Sequence, residues 1–246
     1  TLPDDECLEK AIDELKHDGF YNPSALYRGG VEEKKKIESA RKTLCSFFGG
    51  SFDAVFTSCG SEADNMAVFS FARRGKAITD EGEHAAIYNS FKELKNRGVD
   101  TALAPLKKNG AVDVDKLLDL VDEKTTFVSI VHVNNETGAI NDVNEIAKLI
   151  KRKNPSIIFH SDGVQAFLKV PFKPNEYIDL YSVSAHKICA LKGVGALIYR
   201  KNLHPHPLIF GGGQENGLRS GTENTLGISV FEKAMKKFSD VKRNYD

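Results

Sequence analysis

Lys187 stands in Tyr181-Ser182-Val183-Ser184-Ala185-His186-Lys187, directly after an apolar run and before the turn Gly193-Val194-Gly195. Lysine is seldom taken into such surroundings. Burial there would favour the neutral amine and ready it as a nucleophile toward a carbonyl carbon. Asp162 follows a second apolar run, in Ser161-Asp162-Gly163-Val164-Gln165, where a carboxylate serves catalysis, binds a metal or caps a helix. A third run, ending at Phe56-Thr57, opens into Ser58-Cys59-Gly60-Ser61-Glu62. A glycine and small hydroxyl residues at a helix start suit a phosphate, and Ser61 as a plain helix cap explains the same letters. Val133-Asn134-Asn135-Glu136-Thr137-Gly138 follows a fourth run and reads equally well as a turn. Two other chemistries lack support. Ser184-x-x-Lys187 matches an acyl-enzyme motif, but its Ser-Asp-Asn and Lys-Thr-Gly companions are absent. His84, His132, His160 and His186 show no metal-ligand spacing, and His204-Pro205-His206 sits in a proline-rich turn, so no metal is expected.

The elements that must position these residues alternate along the chain. Strand-like segments are expected at Ala54–Thr57, Ala77–Thr79, Thr101–Ala104, Thr126–His132, Ile157–His160, Ile178–Val183 and Gly195–Tyr199. Helix-like segments are expected at Asp4–His17, Val31–Phe48, Glu62–Arg73, Ala85–Arg97, Val114–Val121 and Val143–Lys153. Short apolar runs between amphipathic helices indicate an α/β fold, with a mostly parallel sheet covered on both faces in three layers, α/β/α. In such sheets ligands bind at the carboxyl ends of strands, where the candidate residues lie.

The chain has 246 residues, enough for one large α/β domain or two small ones. Lysine plus arginine and aspartate plus glutamate both total 34, so net charge gives no argument for nucleic acid or an anionic membrane. No apolar run approaches the roughly 20 residues of a membrane helix, and the first residues lack the features of a signal peptide. The four cysteines form no CxxC pair, and a reducing, cytoplasmic setting is expected.

Taken together, the motifs resemble the cysteine desulfurases, the class V branch of the fold-type-I pyridoxal-phosphate (PLP) enzymes. The matching stretches are Asn22–Tyr27, Phe56–Asn65, Glu83-His84, His132–Gly138, Asp162–Gln165, Ser184–Ile188, Lys192–Leu197 and Gly211–Thr222. They occur in family order across nearly the whole chain. The resemblance implies that Lys187 holds PLP and moves protons, and that Asp162 pairs with the pyridine nitrogen. It also implies that Gln165 bonds the phenolic oxygen, that His84 stacks on the ring and relays protons, and that Asn135 lies near the phenolic oxygen and the substrate carboxylate. Gly60, Ser61, Ser184 and His186 would form the phosphate cup. Thr222 would reach the phosphate of a second subunit, which implies a homodimer.

The implied substrate is L-cysteine, converted to alanine with its sulfur passed on for iron–sulfur clusters or tRNA thiolation. A sulfur-acceptor or scaffold protein is a further implied partner. Residues 1–246 are expected to be the PLP-binding large domain. The family's small C-terminal domain, with its nucleophilic cysteine and carboxylate-binding arginine, has no counterpart here, so impaired sulfur transfer by this chain alone is expected. Selenocysteine lyase, class V aminotransferase and an inactive scaffold are the alternatives. The chain departs from the family at Cys59 and Ala185, both usual glycine positions, at Ser61 where threonine is common, and at Cys189-Ala190-Leu191 in place of Gly-Pro. The last change is expected to reshape the loop after Lys187.

Overall fold

The computed structural model describes residues 1–240; the end of the expected domain, residues 241–246, lies outside the described residues. Seven strands form one sheet: β1 (Phe52–Thr57), β2 (Lys76–Asp80), β3 (Asp100–Ala104), β4 (Thr125–Ser129), β5 (Ile158–Asp162), β6 (Leu180–Ser184) and β7 (Gly195–Arg200). Their order is β1-β7-β6-β5-β4-β2-β3, and every neighbouring pair is parallel except those that include β7. Because β7 is antiparallel to both β1 and β6, those two strands point the same way. Thr57 and Ser184 both pair with Gly195, so their carboxyl ends meet at one edge of the sheet.

The helices are α1 (Asp5–Asp18), α2 (Arg28–Ser46), α3 (Gly60–Phe71), α4 (Ala85–Asn96), α5 (Val114–Leu120), α6 (Val143–Lys153) and α7 (Thr225–Lys237). Alternate strand residues point to opposite faces and define the layers. Val55, Ala77, Phe127, Leu180 and Leu197 pack with Met66 of α3 and Phe91 of α4. Their sequence neighbours Phe56 and Ile198 pack with Leu44 of α2 and Phe231 of α7. Ile78 and Val128 pack with Leu117 of α5 and Ile146 of α6 on that same second face. The three-layer α/β/α fold expected from the sequence is therefore the observed one.

Most expected elements are present with shifted ends. Asp4 is the cap of α1 and not its first residue, its Oδ1 accepting the Cys7 N–H at 3.0 Å. Helix α2 begins at Arg28, earlier than the expected Val31, and Gly29 and Gly30 lie inside it. A Cβ on Gly30 would stand 2.4 Å from the Ala25 carbonyl oxygen, so this glycine permits a close backbone approach. Strand β4 stops at Ser129, short of the expected His132. Even so, Ile130 and His132 still donate backbone N–H bonds to the His160 and Asp162 carbonyls. The extended path therefore continues to the sheet edge. Helix α7 was not expected from the sequence. Asn224 caps it, and Ile228, Val230, Phe231 and Ala234 bury its inner face. Among the described residues no helix is long and apolar enough to cross a membrane.

His132 lies behind this edge. Its Nδ1 is 2.7 Å from the Tyr181 hydroxyl, and its ring meets Phe172 edge-on at 4.7 Å. Burial, opposed by the Asp142 charge, pushes it down from 6.5 to about 4. The folded state thus binds the proton less readily than the unfolded state, and the stability this neutral histidine contributes is lost as pH falls from 6.5 toward 4. His132→Gln is expected to destabilise most at neutral pH. Its deficit against wild type should shrink by about 1.4 kcal/mol per pH unit through that window. Urea titrations at several pH values check this; a deficit independent of pH would contradict a buried neutral histidine.

Candidate active site

Five strand ends converge on one cavity of about 200 Å³. Its floor comes from β5 and β6. Residues 158, 160 and 162 share a face of β5, residues 180, 182 and 184 share a face of β6, and both faces look toward α3. Asp162 is the last residue of β5 and is 4% exposed. Its Oδ1 accepts the Val164 N–H at 2.8 Å. The carboxylate therefore holds the turn after β5 and also lines the cavity; among the described residues no helix starts there, so the helix-cap reading does not hold. Burial pushes its pKa up, while the Val164 N–H and the nearby His84 and Lys187 pull the other way.

Lys187 sits on a 3-10 turn, Ala185–Ile188, immediately after β6. The turn closes through Cys189, whose φ of 61° is left-handed and favours glycine. The Cys189 N–H donates to Ala185, and the Cys189 carbonyl accepts from Asp4. The Cys189-Ala190-Leu191 substitution is thus accommodated as a tight turn, with a side chain in a conformation that costs about 1–2 kcal/mol. Cys59 is different. Its φ of −171° is extended backbone, so replacing the family's glycine there needs no strain.

The cup is built where α3 starts. Cys59, and not Ser61, is the N-cap of this helix, so the capping reading of Ser61 does not hold. The Ser58 N–H instead goes to Glu62 Oε2 at 2.7 Å. Gly60 and Ser61 are left facing the cavity, opposite Ser184 and His186, whose Oγ and Nδ1 lie 3.0 Å apart. A Cβ on Gly60 would come within 2.8 Å of Val164 and 3.2 Å of Ser184, and one on Gly195 within 2.4 Å of the Cys59 carbonyl carbon. These two glycines let the helix start lie directly on β6 and β7.

His84 caps α4, its Nδ1 accepting the Ala86 N–H at 3.1 Å, which leaves Nε2 to carry the proton in the neutral ring. Asn135 lines the cavity from the turn after β4. Its neighbour Asn134 shapes that turn: Oδ1 accepts the N–H groups of Glu136 and Thr137, and Nδ2 donates to Gly82. Gln165 also lines the cavity, and its Oε1 accepts from Lys169 at 2.7 Å. Nine of the ten residues singled out in the sequence therefore line one space. Thr222 does not. It lies with Arg219, Thr57 and Ser58 in a neighbouring groove, on a loop tied to the cup by the Arg219–Glu62 ion pair at 3.1 Å.

Asp64 also lines the cavity, a role the sequence reading did not assign. It lies one helical turn after Gly60 and Ser61, and that spacing was the signal available. It is 1% exposed, and its Oδ1 has no hydrogen-bond partner among the described residues. Burial and then the Asp162 charge raise its pKa well above the usual carboxylate range. Glu83 is raised likewise by burial and by Asp80, Asp162 and Asp64. Behind Asp64 runs a buried row: Glu83 Oε1 accepts from Ser129, Ser129 Oγ meets His160 Nδ1 at 2.9 Å, and His160 Nε2 meets Ser182 Oγ at 2.9 Å. Burial lowers His160 to about 3 and raises Glu83, so both favour their neutral forms. Asp162, with a backbone donor and two basic neighbours, is left as the carboxylate best able to hold a charge.

One atom from each of Asp64, His84 and Asp162 lies within 4.8 Å of the others, a spacing that a cation could bridge. Lys187 lines the same cavity, and its charge pulls the Asp162 pKa down. The donor set suits PLP better. A buried anion lies on the floor, an amine stands on a rigid turn, and small residues at a helix start form a cup that a Cβ would fill. The thiols of Cys7 and Cys45 are both pushed up to about 11, chiefly by burial, and are poor nucleophiles.

Comparison with known proteins agrees with this geometry. The profile described as "Aminotransferase class-V" matches residues 2–244. A cysteine desulfurase IscS of Dictyoglomus turgidum is 38% identical over 243 residues, covering 96% of this chain and 61% of that relative. The chain spans about three fifths of the length of the curated relatives it matches, 61% and 60% for two of them. Among solved structures, a NifS-like protein superposes with a TM-score of 0.91 at 35% identity, covering 99% of this chain and 68% of that one. SspA, solved in complex with cysteine, gives 0.88 at 29% identity, covering 100% and 74%. The chain belongs to the class-V aminotransferase family, on the branch of the IscS and NifS-like cysteine desulfurases, a PLP-dependent group.

Proposed function

We propose that residues 1–246 are the large, PLP-binding domain of a cysteine desulfurase acting on L-cysteine, with Lys187 holding the cofactor covalently. One observation carries the reading: an amine, a buried carboxylate and a helix-start cup line the same cavity. Asp162 would hold the proton on the pyridine nitrogen. The Gly60 N–H, the Ser61 and Ser184 hydroxyls and His186 would take the phosphate. Gln165 and Asn135 would face the phenolic oxygen. When bound, PLP supplies an electron sink for charge developing on the substrate α-carbon. The Lys187 amine would take the α-proton and later return it, and His84 Nε2 would exchange protons on the other side. Substrate choice rests on the IscS relatives and on SspA, whose structure contains cysteine.

We further assign a homodimer. Thr222 stands outside its own cavity, and Phe20, Leu26 and Phe210 are 77%, 97% and 82% exposed, which suits a second copy. The four free thiols fit a reducing cytoplasm, with sulfur passed to an acceptor protein for iron–sulfur clusters or tRNA thiolation. Titrating the purified protein with PLP should produce a visible absorbance band. Borohydride should then fix one PLP on a peptide containing Lys187. Saturated protein with neither the band nor the adduct would overturn this reading.

A further inference from the structure

Lys169 is half-buried and pairs with no carboxylate among the described residues. A lysine taken partly out of water normally finds a counter-ion. Among the described residues its one side-chain bond is to Gln165 Oε1, at 2.7 Å. An ammonium has three donors and no acceptor. The contact therefore decides which end of the Gln165 amide is oxygen. With Oε1 held by Lys169, the Gln165 NH₂ is the free end, and Gln165 lines the cavity. A cavity that holds a phenolic oxygen needs a donor at that point. An amide turned the other way would present a carbonyl oxygen and repel it.

The charged surroundings agree. Lys169 lies close enough to Lys187 and Cys189 to feel both, and burial followed by the Lys187 charge lowers its pKa. The other charged or titratable groups at this end are His186, Lys192 and the amino terminus, with Asp162 on the floor. Lys169 thus adds positive potential beside Lys187 without a salt bridge to spend it on.

We propose that Lys169 is a positioning residue: it locks Gln165 as a hydrogen-bond donor into the cavity and keeps the Lys187 end of the site positive. The proposal rests on the reading that PLP is held by Lys187. Its consequence concerns the proton shared between the cofactor-bound Lys187 nitrogen and the phenolic oxygen. A nearby cation disfavours that proton, and a donor that stabilises the oxygen's negative charge does the same. Both effects lower the pH at which the proton leaves, and both vanish together when Lys169 is removed.

The test is the pH midpoint of the visible band in PLP-loaded protein, with PLP affinity and thermal melting measured alongside. Lys169→Met keeps the aliphatic stem and should raise the midpoint by about one pH unit. Lys169→Arg keeps both donor and charge and should stay close to wild type. In a Gln165→Ala background, Lys169→Met should shift the midpoint less than it does in wild type. A normal band in Lys169→Met with an unmoved midpoint would overturn the proposal while leaving the PLP reading intact. An equal shift in Lys169→Met and Lys169→Arg would also overturn it, since that indicates a packing effect. A wild-type protein with no band at all would instead overturn the reading on which it rests.

Discussion

Asp162→Asn should leave the PLP-free protein as stable as wild type or more stable, and yet weaken PLP binding on the order of a hundredfold or more. The opposite signs come from one carboxylate. Asn keeps an oxygen for the Val164 N–H, so the turn after β5 is preserved. It removes a charge that burial disfavours, as the raised pKa of Asp162 shows. An acid raised above its unfolded value of 3.8 costs stability at neutral pH, and that cost disappears as pH falls below 3.8. The stability advantage of the variant should therefore be present at pH 7 and absent in acid. PLP binding is expected to move the other way, because on the proposed reading Asp162 is the anion that would hold the pyridinium proton. Urea titration of the PLP-free proteins and PLP titration of both check the two halves. A variant that binds PLP like wild type would show that Asp162 does not face the pyridine nitrogen.

Glu215→Ala should destabilise the fold by about 3–5 kcal/mol, the usual consequence of leaving one member of a buried ion pair alone. Arg41 and Glu215 form a bidentate pair, both contacts at 2.7 Å, with side chains 7% and 2% exposed. Glu215 Oε2 also accepts the Phe56 N–H at 2.7 Å, and the Arg41 guanidinium lies 5.1 Å from the centre of the Phe56 ring. Glu215 thereby fastens the loop that carries Arg219 and Thr222 to β1, just before the cup. Its own φ of 49° shows how tightly the backbone is drawn in. The double variant Arg41→Met/Glu215→Leu should cost clearly less than the sum of the single variants, because no orphaned charge remains. Denaturant midpoints at constant slope measure both. A loss below 1 kcal/mol for Glu215→Ala would show that Arg41 finds other partners.

Much of the fold was legible because each element carries its own local signal. Helix α6 occupies the expected Val143–Lys153, opened by the Asp142 cap and closed after basic residues. Other ends moved where tertiary contacts outweighed local signals. Helix α2 starts at Arg28, before the expected Val31, because Gly30 permits the close approach of the Ala25 carbonyl and Gly29 that of the Tyr21 ring. Helix α7 carries local signs of its own in the Asn224 cap and the spaced apolar residues.

The candidate residues were legible for the same reason: a lysine, an aspartate or a glycine-hydroxyl pair just past an apolar run marks a strand end, whatever the strand's neighbours. The sequence by itself determined the alternation of strands and helices and the side chains available at each strand end. The tertiary structure decided which of those ends meet. Strand β7 inserts antiparallel between β1 and β6, so that Thr57 and Ser184 share Gly195 and the cup closes on the lysine turn. No local pattern encodes that pairing, because β1 and β7 are joined only by hydrogen bonds between distant segments. The same holds for Arg41 with Glu215, 174 residues apart, and for the row from Glu83 through His160 to Ser182. Whether a buried carboxylate is neutral or charged depends on such neighbours, and only the folded chain supplies them.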